Sequence, residues 1–128
     1  MNRDDFYDDE YPKLIVRVLA YSKKARKEGL LALERYLDQQ KIDAHDVFEY
    51  GLSLIVDGEY PETVEKNLSD IVAQEKDEYV RLLKTIQMQA ILGLQNGEKE
   101  KDLYQRLNSL TEQPLIDDTD LDNILKDL

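Results

Sequence analysis

From Glu62 to Leu92 the chain contains neither glycine nor proline. Along that stretch and just beyond it, Val64, Leu68, Ile71, Val72, Tyr79, Leu82, Leu83, Ile86, Ala90 and Leu94 keep a rhythm of threes and fours. That spacing lays one apolar stripe along an α-helix and does not alternate as a strand would. The whole chain has only three prolines and five glycines, so little else interrupts a helical pattern. The prediction is an all-α fold, a compact helical domain of about five helices with one long central helix. The stripe fades only at Gln74-Glu75-Lys76-Asp77-Glu78. The helix is expected to run straight through this polar waist, with a short turn there as the alternative.

Other elements follow from caps and breakers. Pro12 suits the first turn of a helix, where its missing N–H is not needed. That helix is predicted to reach about Asp38, with Leu14, Ile15, Val18, Leu19, Ser22, Ala25, Gly29, Leu33 and Leu37 along one face. Gly29 inside it would cost about 1 kcal/mol relative to Ala, which close helix packing would offset. Asp43 is the expected N-cap of a second helix ending at Asp57, with Gly58 just beyond its end. Pro61 then opens the third.

Two stretches repeat at a spacing of 39. Leu52, Ile55, Asp57, Gly58, Glu59, Val64, Leu68 and Ile71 match Ile91, Leu94, Asn96, Gly97, Glu98, Leu103, Leu107 and Leu110. Each copy reads as a helix, a Gly-Glu stop and another helix. Good hairpin chemistry, with glycine just past each helix and an acid near the next, accounts for this, and two copies are too few for a solenoid.

Beyond Gln113-Pro114, Thr119 is placed to cap a last helix with Asp120 and Asp122 in its first turn. Leu121, Ile124, Leu125 and Leu128 fall at i, i+3, i+4 and i+7, a single apolar face. So short a helix is marginal in water, so it must dock. It can complete the chain's own core or fill a partner's groove. The basic stretch from Lys13 to Lys27 offers a complementary rim, in this molecule or in a second copy.

A chain of 128 residues supports one modest core. It divides into an acidic N-terminal tail over 1–10, a helical domain over 11–113 and an acidic amphipathic helix over 114–128. A net charge of −11 argues against nucleic acid or an anionic bilayer as partner. No stretch approaches the roughly 20 apolar residues of a spanning helix, so no membrane insertion is expected. Met1-Asn2-Arg3-Asp4-Asp5 lacks the apolar core of a secretory signal and there is no cysteine, from which a cytoplasmic location is expected.

Catalytic chemistry finds little support. His45, the only histidine, lies between Asp43 and Asp46, a capping cluster rather than a ligand set. Asp118-Thr119-Asp120-Leu121-Asp122 begins like a calcium loop but has Asn123 where glycine is required, and no twelfth-position glutamate follows. No phosphate loop, nucleophile elbow or Cys–His pair is present. The expectation is a non-enzyme without cofactor or metal.

Three segments carry a family resemblance: Ala25–Glu34 (ARKEGLLALE), Gly51–Gly58 (GLSLIVDG) and Gln89–Glu98 (QAILGLQNGE). Together they resemble the cytoplasmic head of the flagellar stator subunit of the motility protein A (MotA) type, over roughly residues 11–113. A stator subunit carries membrane helices before the head and at the position of the polar waist, and this sequence has none. The resemblance implies a non-catalytic interaction or regulatory module of the flagellar motor, binding the rotor switch complex or stator heads. Without a membrane path it implies no ion conduction. By motif position, Arg26 and Glu34 match the family's charged contact residues. On a straight helix they would lie roughly 12 Å apart along the axis and about 80° apart around it. The expected partner-binding set is therefore Arg26, Glu34, Lys23, Lys27, Leu121, Ile124, Leu125 and Leu128, with homo-oligomerisation left open. The alternative is a helical adaptor or chaperone-like protein outside motility, since a fold does not fix a function.

Overall fold

The first helix starts ahead of Pro12. Asn2 accepts the Asp5 N–H at 2.8 Å and caps a short turn, α1 (Arg3–Asp5). A π-helical turn, Phe6–Glu10, then leads directly into α2 (Tyr11–Glu28). Pro12 has no N–H to return to the preceding turn, and the Tyr11 N–H reaches back to the Phe6 carbonyl instead. Residues 1–10 are therefore not a tail. Phe6 is fully buried, with its ring 4.7 Å from Tyr7, 5.5 Å from Tyr11 and 5.6 Å from Tyr79. The computed structural model of the chain describes residues 1–37, 41–112 and 118–127.

Seven α-helices and no strand are found among those residues. The fold is all-α, as the periodicity requires, but two predicted helices are divided. α2 stops at Glu28 rather than near Asp38, which lies outside the described residues. Gly29 takes φ 92° and ψ 159°, donates to the Ala25 carbonyl at 2.7 Å, and turns the chain into a 3-10 segment, Leu30–Tyr36. Leu33 still reaches the core, fully buried, but from the turned segment. Tyr36 stacks on Tyr21 at 5.0 Å and Tyr21 on Phe48 at 5.9 Å, fixing that segment against α2 and α3 (Val47–Val56). The N-cap of α3 is Asp46, which accepts the Glu49 N–H at 3.0 Å. Asp43 instead accepts the His45 N–H at 2.8 Å, so the capping role falls three residues later than expected.

The long central helix is two helices, α4 (Pro61–Gln74) and α5 (Glu78–Gln95). Glu75 and Asp77 take extended ψ values of 128° and 127°. The Glu75 carboxylate accepts the Lys76 and Asp77 N–H groups at 3.1 and 3.2 Å and the Lys84 ammonium at 2.9 Å. Asp77 caps α5 by accepting the Val80 N–H at 2.9 Å. The polar waist thus offers the backbone side-chain acceptors that compete with helix, and it has no apolar face whose burial would favour continuing one. The chain folds back, and Ser69 on α4 lies 3.3 Å from the sulfur of Met88 on α5.

α6 (Glu100–Asn108) and α7 (Asp118–Asp127) complete the chain. α3–α4 and α5–α6 are two helical hairpins, and their stops have the same hydrogen bonds. Gly58 (φ 80°) and Gly97 (φ 71°) donate to the carbonyls of Ile55 and Leu94, both at 3.2 Å. Glu59 and Glu98 donate to those of Leu54 and Gly93, both at 3.1 Å. This paired arrangement places a left-handed residue just past each helix, where only glycine is unstrained. The hairpins pack through α5, which contacts both α3 and α4, while α2 lies against α5 and α6. Gly51 lets α3 approach closely: a Cβ there would sit 2.7 Å from Ile91 Cγ1. No helix among the described residues is long and apolar enough to cross a membrane.

Candidate partner-binding surface

The end of α2 gathers the chain's densest basic charge in an otherwise acidic molecule. Arg26 and Lys27 occupy its last turn, at the partially negative end of the helix dipole. Ala20, Lys23, Lys24, Lys27 and Glu28 line an open cleft of about 270 Å³. Lys24 and Glu28 form an ion pair one turn apart, and hydrogen bonding to Lys24 holds the Glu28 carboxyl below its ordinary range. Beyond Gly29, the 3-10 segment presents Leu31, which is 70% exposed, and the exposed side chains of Glu34 and Arg35.

Arg26 is not simply a surface charge. Its Nη1 donates to Glu100 Oε2 at 2.6 Å, and the Glu100 side chain is only 15% exposed. The pair joins the end of α2 to the start of α6. Nor do Arg26 and Glu34 share one straight helix, because Gly29 intervenes; the spacing of eight residues no longer implies 12 Å and 80°. Lys23 and Lys27 do meet in the cleft. Glu34 is presented separately, on the turned segment.

The C-terminal residues face inward. Leu121 is 2% exposed within the main core, and Ile124 and Leu125 pack half-buried against it. Asp122 Oδ1 lies 2.6 Å from Lys101 Nζ, so α6 supplies a basic partner to α7. Leu128 lies outside the described residues.

Sequence patterning gave no warning of Glu100, Lys101 or Arg106. Arg106 contacts both carboxylate oxygens of Glu98, at 3.1 and 2.9 Å, and donates to the side chain and carbonyl of Gln89 at 2.6 and 2.8 Å. It ties α6 to α5 and to the second hairpin stop. A basic residue one turn from a helix end carries no sequence sign of such a role; only the fold brings Gln89 and Glu98 to it. No group of three or more potential metal ligands is found among the described residues. His45 sits with Asp43 and Asp46 beside Lys84 and Gln87 in an open hollow, where Asp43 and Asp46 accept backbone N–H groups.

In comparisons with protein-family models, curated proteins and solved structures, the chain matches none.

Proposed function

We propose that this chain is a non-catalytic protein-interaction module, MotA-like in its head but without membrane helices, which acts in the cytoplasm. Its partner is the rotor switch complex or the cytoplasmic head of a stator, engaged through the basic end of α2 and the 3-10 segment. One observation carries the reading. The segment that resembles the family, Ala25–Glu34, is where Lys27, Leu31 and Glu34 are all exposed on either side of a sharp turn. Charged side chains around an exposed apolar one are a common arrangement of a protein-recognition patch. The reading assigns Arg26 a double role, as strut to Glu100 and as part of the basic surface.

The test is capture of purified rotor switch proteins and of stator heads by immobilised wild-type chain, compared with Glu34→Lys and Lys27→Glu. Binding that falls with either reversal supports the motor role. Absence of binding to both classes of protein rejects it in favour of an adaptor outside motility.

A further inference from the structure

We propose that the seat of α7 is a docking groove for an acidic amphipathic helix of a protein partner, filled in the resting molecule by the chain's own last helix. The contacts of α7 are those of a bound peptide. Among its described side chains Leu121 alone is buried in the core, while Ile124 and Leu125 are half-buried beside it. Asp122 reaches Lys101 at 2.6 Å, with both side chains about half exposed at 46% and 56%. Among the described residues, every other buried core side chain comes from elements preceding α7. A ten-residue helix is not stable alone, so α7 is helical because it is seated.

The occupant specifies the ligand. Apolar residues at i, i+3 and i+4 with an acid at i+1 are the pattern of a helix laid in a groove, and Lys101 selects the acid. An exposed ion pair is weak and screened by salt, so a partner helix with a longer apolar face would displace α7. The seat adjoins the basic surface at one point, since Lys101 follows Glu100, which holds Arg26. The inference goes beyond the motor reading and does not depend on it.

The experiment uses the full-length chain and a fluorescent peptide of residues 115–128 as probe. Leu121→Asp should release α7 and let the peptide bind; the wild type, its groove filled, should bind about tenfold more weakly or less. Adding Lys101→Glu to Leu121→Asp should weaken binding several-fold and flatten its salt dependence. Hydrogen exchange on the unmodified chain supplies a measure independent of the variants. Amides of α7 should exchange about 100-fold faster than those of α5. Exchange of α7 together with the core, or a folded Leu121→Asp chain that ignores the peptide, would overturn the proposal. So would a wild-type dimer formed by exchange of α7, which would make a second copy the ligand.

Discussion

Arg26 and Glu100, 74 residues apart in sequence, meet at 2.6 Å where the end of α2 crosses the start of α6. The ion pair fixes the basic end of α2 relative to the second hairpin. A residue that the proposed function assigns to a partner is therefore also used to hold the surface in place, and substitution there tests two things at once.

Charge reversals should separate these roles. Arg26→Glu places two carboxylates together with Glu100 only 15% exposed. It should cost about 1–2 kcal/mol, between the values for exposed and for buried pairs. Glu34→Lys, on an exposed turn, should leave the stability within about 0.5 kcal/mol of wild type. Thermal denaturation of the two variants checks the contrast, and equal losses would contradict it.

The close approach of α3 to α5 predicts a large effect from a small change. Gly51→Ala puts a methyl 2.7 Å from Ile91 Cγ1 and 3.1 Å from Leu68 Cδ1, both in fully buried side chains. Overpacking of this kind should destabilise by about 1–3 kcal/mol. Urea unfolding measures it, and an unchanged midpoint would mean that the helices can separate without penalty.

Folding back at Glu75–Asp77 can be read with spin labels at Asp70 and Leu82. Along one continuous helix these twelve positions would span about 18 Å at 1.5 Å per residue. The α4–α5 reversal predicts a clearly shorter separation by double electron–electron resonance. A value near the helical one would restore the single long helix.

Acid should loosen this same turn. Glu75 is held below its ordinary range first by Lys84 and then by the Asp77 N–H, and Asp77 first by the Val80 N–H. A carboxyl whose folded pKa is depressed contributes stability above its unfolded value, and that stability is lost as pH falls through the folded one. Wild-type stability should therefore decline below about pH 4. The double variant Glu75→Gln, Asp77→Asn should decline less, as melting temperatures between pH 3 and pH 7 would show.

Helical class, the hairpin stops and most core positions followed from sequence alone. Apolar periodicity and the Asp/Asn-Gly-Glu stops at Gly58 and Gly97 act through local geometry, which neighbouring residues determine. Leu14, Ile15, Val18, Leu19, Val64, Leu68 and Ile86 are buried as the stripes require. Where helices end was less legible. At Gly29 and at Glu75–Asp77 two local outcomes compete, and the choice follows from what the chain packs against beyond the break: Leu33, Tyr36 and the α4–α5 contact. The ion pairs Arg26–Glu100, Lys101–Asp122 and Arg106–Glu98 and the inward face of α7 were decided by tertiary structure alone. Exposed charges obey no periodicity, and their partners are set by how helices cross. Whether an amphipathic helix folds onto its own chain depends on whether an unfilled apolar seat lies within reach, which no local pattern records.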